Sequence, residues 1–140
     1  MKHNFIYVGC FINYHDLQKK VNSIRKVSLS RQIRNPHITF AYKPESVDES
    51  LFGKKIKIII TGYGYNEDNE GVKVELYSND SEIEKMIKNI PVPHITLSVS
   101  TNGKPVNTRN LIFNAVEPIE IEGMYGGYAS SGDVITFASE

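Results

Sequence analysis

The 140-residue sequence contains one cysteine, no long apolar run and no net charge. A single cysteine excludes an internal disulfide, and its apolar neighbours predict that Cys10 is a small buried hydrophobe. No apolar run approaches the roughly 18–20 residues that cross a bilayer, so we expect no membrane partner. The first residues, "MKHNFIYVGCFINYHD", lack a cleavage site of small residues and predict a strand instead of a signal peptide. These features favour a cytoplasmic protein.

The sequence also lacks the patterns of several catalytic and metal sites. No Cys pair, HExxH or acidic cluster accompanies the four histidines, so a zinc site built on two of them would lack its third and fourth ligands. No serine lies in a nucleophile elbow, and Cys10 is expected to be buried. The stretch "GYGYNEDNEG" precedes no helix, which indicates a hairpin turn and not a phosphate loop. We expect neither a metal nor a cofactor, with the two-histidine zinc site as the alternative.

Charge is unevenly distributed along the neutral chain. Residues 1–44 carry a net charge of +7 and residues 45–140 a net charge of −7. The basic part is concentrated in "KKVNSIRKVSLSRQIR", residues 19–34. A charge run of this kind is typical of a solvated helix face and loop, and the alternative is attraction of a phosphate or a short RNA end. Nothing in the sequence indicates a protein that coats long duplexes.

Apolar periodicity predicts one α+β domain over residues 1–140. Strands are expected at 5–12, from His37, in the hairpin "KIKIIITGYGYN"/"GVKVELY", from His94, and in "PIEIEGMYG" and "DVITFAS". Helices are expected in "HDLQKKVNSIRK" and "NDSEIEKMIKNI", the second capped by Asn79 or Ser81. Residues 28–35 and "TNGKPVNTRN" are expected to be polar loops. A monomer is expected.

The tetrapeptide Pro-His-Ile-Thr occurs twice, in "NPHITFAY" and in "PVPHITLSVS". Each copy follows a predicted strand and helix, which predicts two similar strand–helix–strand lobes related by an approximate two-fold axis. Only six threonines are present, so coincidence explains two His-x-Thr spacings poorly. The duplication is the strongest functional signal in the sequence.

Side chains alternate along a strand, so each His-x-Thr pair is expected to present an imidazole and a hydroxyl on one face. His37 and Thr39 would then meet His94 and Thr96 across a shared cleft, with the intervening isoleucines in the core. One imidazole can take a proton from water while the other gives a proton to a leaving oxygen. Threonine hydroxyls can donate to the phosphate oxygens. This constellation suits phosphodiester hydrolysis without a metal.

The "HITF" and "HITL" segments resemble the two H-x-T/S-hydrophobic motifs of the 2H phosphoesterase superfamily. Within it, "PVPHITLSVSTNGKPVNTRNL" and "IEIEGMYGGY" are most similar to the cyclic phosphodiesterase domain of fungal and plant tRNA ligases. The resemblance implies a two-lobed fold with antiparallel sheets around a central cleft, catalytic roles for both histidines, and phosphate binding by both threonines. It implies metal-independent opening of a 2′,3′-cyclic phosphate, at RNA ends or in small nucleotides. We expect no counterpart of the ligase and kinase domains of the tRNA ligases in these 140 residues.

Other substrates and roles stay open at this point. Some superfamily members cleave 2′-5′ oligoadenylate, and some phage members destroy cyclic oligonucleotide signals. A module that binds nucleotides or RNA ends without turnover is a further alternative, although such a module needs no pair of proton carriers.

Aromatic and basic residues are the candidates for substrate binding. Aromatic faces stack on bases, so Tyr7, Tyr42 and Tyr125 are candidates, together with Tyr128. Tyr42 lies at an odd offset from His37 and needs a bulge or a strand end to reach the cleft. Lys104 and Arg109 follow the second motif and are candidates for a distal phosphate. His3 and His15 have no comparable partners and are expected at the surface.

Overall fold

The computed structural model describes residues 4–137, which leaves His3 and the end of the predicted strand "DVITFAS", residues 138–139, outside the described part of the chain. Within it the chain is a mixed α+β structure. Its strands are β1 (Phe5–Phe11), β2 (Arg31–Gln32), β3 (His37–Tyr42), β4 (Lys55–Tyr65), β5 (Asn69–Tyr77), β6 (His94–Val99), β7 (Asn114–Ala129) and β8 (Val134–Ile135). The helices are α1 (Tyr14–Val21) and α2 (Ser81–Lys88), and two 3₁₀ helices cover Glu49–Leu51 and Pro105–Asn110.

All strands belong to one open antiparallel sheet in the order β2-β6-β5-β4-β7-β1-β3, with β8 paired to β7. The resemblance implies antiparallel sheets around a central cleft, whereas the 16-residue β7 pairs with both β4 and β1 and joins the two halves into one sheet. Outward from the central β4–β7 pair, the sheet continues through β5 to β6 on one side and through β1 to β3 on the other. Although β3 and β6 are far apart in this order, their Cα atoms come within 8 Å. The sheet therefore curves until the two histidine strands face each other.

The central hairpin follows directly from the sequence pattern. Isoleucines alternate with exposed lysines at the start of β4, and Ile56, Ile58 and Ile60 are fully buried. In β5, the buried Val72 and Val74 alternate with exposed polar residues, as the sequence predicts. Burying one such aliphatic side chain contributes about 1.5–3 kcal/mol, so these alternating positions fix which face of the sheet turns inward. Cys10 is fully buried in the same core, as expected, and burial raises the pKa of its thiol.

Both predicted helices are present, but the cap of α2 differs from the prediction. The Asn13 side chain accepts the backbone N–H of Asp16 at the start of α1. Asp80, and not Asn79 or Ser81, caps α2 by accepting the N–H groups of Glu82 and Ile83. Those two hydrogen bonds, with the bond from Ile83 contributing most, lower the pKa of the Asp80 carboxyl. All three residues of "NDS" have side chains that can cap a helix, and the sequence alone does not show that Asp80 is the one with the extended backbone of an N-cap.

Two segments predicted as loops contain regular structure. Residues 28–35 include β2, in which Arg31 and Gln32 pair with the edge of β6. The segment "TNGKPVNTRN" includes the 3₁₀ helix Pro105–Asn110, which packs against β5 and β6. A two-residue strand and a six-residue 3₁₀ helix are too short to leave a periodic signal in the sequence. No helix in residues 4–137 is long and apolar enough to cross a membrane.

A buried ion pair fixes the connection between α1 and β3. Arg25 donates from Nε to Glu70 Oε2 at 2.8 Å, and the Glu70 side chain is fully buried. The same carboxylate accepts hydrogen bonds from the hydroxyls of Tyr63, at 2.8 Å, and Ser98, at 2.6 Å. Arg25 also donates to the side chains of Gln18 and Gln32. This network holds the segment that leads to the first histidine strand against β5 and β6.

Candidate active site

The two repeated motifs occupy equivalent positions on the sheet. His37 is the first residue of β3 and His94 is the first residue of β6. The isoleucines that follow them, Ile38 and Ile95, are buried at 2% and 0% exposure, as the alternation predicts. Their burial turns the histidines to the opposite face of each strand.

The structure extends this repeat to the strands that pair with the motifs. Gly9 on β1 pairs with Thr39, and Gly71 on β5 pairs with Thr96. The register of each pair shifts immediately after the threonine. A Cβ atom on Gly9 would lie 2.1 Å from the carbonyl oxygen of Ile38, and one on Gly71 would lie 2.8 Å from that of Ile95. Each motif therefore needs a glycine opposite it, a correspondence that the sequence repeat alone does not reveal.

The imidazoles of the two motifs make the same hydrogen bond. His37 Nδ1 lies 2.9 Å from the carbonyl oxygen of Asn35, and His94 Nδ1 lies 2.8 Å from that of Val92. Each carbonyl belongs to the residue before the motif's proline. Because a carbonyl oxygen only accepts, Nδ1 must carry a hydrogen in both rings. In the neutral state Nε2 is therefore the unprotonated nitrogen of each ring, and no hydrogen bond from the described residues occupies it.

Both histidines and both threonines of the repeats line one cavity of about 720 Å³. Its remaining lining residues are Tyr7, Ile33, Ile38, Tyr42, Ile90, Pro91, Val92, Pro105, Val106 and Arg109. Five apolar lining residues outside the strands, which we call the apolar wall, are Ile33, Ile90, Pro91, Val92 and Val106. Arg109 is the lining residue with a permanent charge, and no aspartate or glutamate is among these lining residues. The cavity therefore combines two proton carriers with an environment that favours anions.

His37 is more enclosed than an ordinary surface histidine. Its ring stacks on Tyr7 with 4.6 Å between ring centroids and an interplanar angle of 23°. Tyr7 stacks in turn on Tyr128 at 5.2 Å. Burial lowers the pKa of His37, and the nearby charge of His94 lowers it further, against the opposing effect of the hydrogen bond to the Asn35 carbonyl. Burial also raises the pKa of Tyr7 to about 12, so its hydroxyl stays neutral.

The two threonines differ in how their hydroxyls are bonded. Thr39 is exposed, and no other described residue forms a hydrogen bond with its hydroxyl. Thr96 is only 8% exposed, and its Oγ1 lies 3.2 Å from the carbonyl oxygen of Pro105 and 2.8 Å from Oγ1 of Thr108. The sequence repeat predicts equivalent hydroxyls, and the structure places them in different surroundings.

Tyr42 lines the cavity and is 66% exposed. The bulge that this position requires is present, because Val8 pairs with Ala41 while Gly9 pairs with Thr39, which leaves Phe40 as an extra residue. That residue shifts the alternation of β3 and places Tyr42 on the same side as His37.

Tyr125 is not a cavity residue. It is 2% exposed, stacks on Phe40 at 5.9 Å, and directs its hydroxyl to the sulfur of Met86. Its assignment as a substrate-binding residue is wrong, because β7 lies in the middle of the sheet and turns this ring into the core. The sequence predicts a strand over "PIEIEGMYG", and the structure extends this strand to residues 114–129.

The remaining candidates divide between the cavity and the surface. Arg109 lines the cavity, whereas the exposed Lys104 is not among its lining residues and contributes its backbone carbonyl to Asn69. Tyr128 supports Tyr7 and is not among the lining residues either. His15 is exposed, as expected.

Sequence reasoning missed the apolar wall and the buried Thr108. Ile90, Pro91 and Val92 lie in the turn between α2 and β6, where the apolar periodicity of the helix makes Ile90 look like an ordinary core residue.

In the described part of the chain, no group of three or more His, Cys, Asp or Glu side chains is arranged to hold a metal ion. No protein-family model matches the chain, and a search of curated proteins finds no matching sequence.

Proposed function

We propose that this protein is a phosphodiesterase that hydrolyses 2′,3′-cyclic phosphates, at RNA ends or in small nucleotides, by acid/base catalysis with two histidines. The observation that carries the proposal is the shared cavity, in which both imidazoles are held through Nδ1 and leave Nε2 for the substrate. Two proton carriers on one small anionic ligand are what in-line hydrolysis of a phosphodiester requires. The absence of carboxylates from the lining residues supports an anionic substrate.

The environment of His37 favours its neutral form and so favours the role of general base. In this mechanism His37 Nε2 removes a proton from water, and the resulting oxygen nucleophile forms a bond to phosphorus. The bond from phosphorus to one ring oxygen of the cyclic phosphate then breaks. His94, protonated at Nε2, gives its proton to that leaving oxygen, so the ribose hydroxyl and a phosphate monoester result. Neutral His37 and protonated His94 are restored when the two sites exchange protons with solvent.

Donors around the phosphate would stabilise the charge that develops in the transition state. The Thr39 hydroxyl is free to donate to a non-bridging oxygen, and Arg109 supplies a positive charge to the same cavity. Donors that are positioned before the reaction contribute most, because the protein does not have to reorganise as charge develops. Tyr42, at the rim, is available to stack on a base.

The two-lobed arrangement of the 2H phosphoesterases is part of this proposal. It is supported by the strand order, in which each histidine strand is the second strand outward from the central β4–β7 pair. The paired glycines opposite the two threonines and the matching Nδ1 hydrogen bonds also support an ancestral duplication.

A second candidate substrate is a larger nucleotide, such as 2′-5′ oligoadenylate or a cyclic oligonucleotide signal. The cavity volume leaves room for it, because about 720 Å³ lies above the middle of the usual range for ligand pockets. The same two histidines would catalyse this reaction.

A substrate panel tests the proposal and separates these candidates. Purified protein in EDTA is incubated with RNA bearing a terminal 2′,3′-cyclic phosphate, with cyclic mononucleotides, with 2′-5′ oligoadenylate, and with cyclic di- and trinucleotides. We expect conversion of the cyclic-phosphate substrates, with the position of the product phosphate read by chromatography. Conversion of the oligonucleotide signals alone would select the second candidate. Binding of these ligands without any product would replace the proposed enzyme with a binding module.

A further inference from the structure

We propose that Arg109 binds a phosphate oxygen of the substrate and that Thr96 acts through Thr108 as a positioning residue for Arg109, instead of binding the phosphate itself. The inference rests on the proposed function, which supplies the phosphate, and it departs from the equivalence of Thr39 and Thr96 that the sequence repeat implies. It follows from how the 3₁₀ helix Pro105–Asn110 is attached to the sheet.

Thr108 is the point of attachment of this 3₁₀ helix. The residue is fully buried, although its neighbours in the same helix are exposed. The side chain of Asn69, on β5, donates to Thr108 Oγ1 at 3.1 Å, and the Thr96 hydroxyl lies 2.8 Å from the same atom. A Cβ atom on Gly71 would lie only 2.3 Å from the methyl carbon of Thr108. Hydrogen bonds with β5 and β6 therefore hold the Thr108 side chain against the sheet.

The hydroxyl of Thr96 is fully used in this attachment. A hydroxyl has one hydrogen to donate, and a carbonyl oxygen only accepts. Thr96 therefore donates to Pro105 O, at 3.2 Å, and accepts the hydrogen of Thr108, which itself accepts from Asn69. This arrangement satisfies every group in the chain of bonds and leaves Thr96 no hydrogen for a phosphate oxygen. Binding a phosphate through Thr96 would break its hydrogen bond to the Pro105 carbonyl and disturb the attachment of the 3₁₀ helix to β6.

Arg109 is the residue that this attachment places in the cavity. It follows Thr108 directly in the chain, lines the cavity with both histidines, and has no ion-pair partner among residues 4–137. A guanidinium matches the oxygens of a phosphate in shape and charge. Lys104 occupies the other end of the same segment, and it does not line the cavity. The exposed Thr39 hydroxyl therefore binds the phosphate from the first half of the sheet, and Arg109 binds it from the second half.

Binding of adenosine 2′-monophosphate, measured by calorimetry, tests this assignment independently of turnover. We expect Arg109→Ala to weaken binding about tenfold to a hundredfold, because a charged hydrogen bond is lost, and the matched charge control Lys104→Ala to leave it unchanged. Thr108→Val, which is nearly isosteric, should weaken binding about three- to tenfold, and Thr108→Ser should restore it. The matched hydroxyl control is Thr101→Val, at an exposed position in the preceding turn.

The distinguishing result is a double-mutant cycle. In the Arg109→Ala background, Thr108→Val and Thr96→Val should cause no further loss, whereas Thr39→Val should add its full effect. Additive losses for Thr96→Val and Arg109→Ala would overturn the inference, as would equal losses for Arg109→Ala and Lys104→Ala. Thermal unfolding shows whether each variant is folded. If Thr108→Val does not fold, the double-mutant cycle of Thr96→Val with Arg109→Ala tests the inference instead.

Failure of this inference and failure of the proposed function give different results. If the wild-type protein hydrolyses no cyclic phosphate but shows the expected pattern of nucleotide binding, the proposed enzymatic activity is contradicted and the assignment of Arg109 to phosphate binding is supported. If the wild-type protein hydrolyses a cyclic phosphate but Arg109→Ala does not affect nucleotide binding, the proposed activity is supported and the assignment of Arg109 is contradicted. A wild-type protein that does not bind adenosine 2′-monophosphate would also overturn it.

Discussion

The rings of Tyr7 and His37 lie nearly parallel, with 4.6 Å between their centroids, and His94 has no such aromatic partner among the described residues. The two halves of the repeat are therefore unequal, although their motifs are identical over four residues. The stacked ring bears on His37 because an aromatic ring that covers an imidazole removes water from it and disfavours its charged form.

We predict that replacing Tyr7 by leucine raises the pKa of His37. The ring contributes to the burial that lowers this pKa, while the other titratable side chains that line the cavity, Tyr42, His94 and Arg109, are unchanged. NMR titration of the His37 imidazole protons measures the change directly. Tyr7→Phe keeps the stacked ring and should leave the pKa low.

The same substitution should change the pH dependence of hydrolysis. A lowered pKa means that His37 stays neutral below the value of 6.5 that is usual for histidine. When the pKa rises, the base form is lost at a higher pH as the solution is acidified, so the acidic limb of the rate profile should move to higher pH in Tyr7→Leu. An unchanged limb, despite a raised His37 pKa, would assign the general base to another group.

Thr39→Val should reduce the rate of hydrolysis because it removes the free hydroxyl next to His37. We expect a loss of about tenfold to a hundredfold in kcat/KM, as for a hydrogen bond to a charged oxygen. Thr39→Ser retains the donor and should recover most of the activity. A valine variant as active as the wild type would mean that Thr39 does not contact the phosphate.

Gly9→Ala should destabilise the fold and disturb the first motif. The new methyl group would lie 2.1 Å from the Ile38 carbonyl oxygen, so the backbone of β1 or β3 must move. Overpacking of this kind costs about 1–3 kcal/mol, which urea denaturation measures. Gly71→Ala should have a similar effect at the second motif, and Ala tolerated at either position would contradict the close approach of the strands.

Arg25→Met should lower the free energy of unfolding by about 3–5 kcal/mol, because it leaves the carboxylate of Glu70 buried without its partner. Adding Glu70→Leu should recover part of the loss, since the uncompensated charge is then removed. The measurement is urea denaturation of both variants against the wild type. A double variant less stable than Arg25→Met would show that Tyr63 and Ser98 satisfy the carboxylate by themselves.

The parts of the structure that the sequence predicted are those with local or periodic signals. The α+β composition, the β4–β5 hairpin, the two helices and the burial of Ile38 and Ile95 all follow from alternation, helical spacing and turn residues. The identical tetrapeptides also predicted correctly that the two histidines and two threonines line one cavity. Their assignment to catalysis stays a prediction, which the experiments above are designed to test.

The parts that the sequence did not predict depend on contacts between distant segments. Tyr125 looked available because glycines surround it, yet those glycines allow β7 to pack closely between its neighbours. Thr108 gave no signal, because its burial depends on the absence of a side chain at Gly71, which lies 37 positions earlier in the chain. The difference between Thr39 and Thr96 likewise arises from the 3₁₀ helix Pro105–Asn110, which forms hydrogen bonds with the Thr96 hydroxyl.

The most direct test of the account is the rate of hydrolysis of a 2′,3′-cyclic nucleotide in EDTA by the wild type and by three alanine variants of histidine. His37→Ala and His94→Ala should each lose about 10²–10⁴-fold in kcat, because each removes one proton transfer. His15→Ala, at an exposed position away from the cavity, should match the wild type. If either cavity variant retained wild-type activity, or if the wild type formed no product, catalysis by the paired histidines would be contradicted.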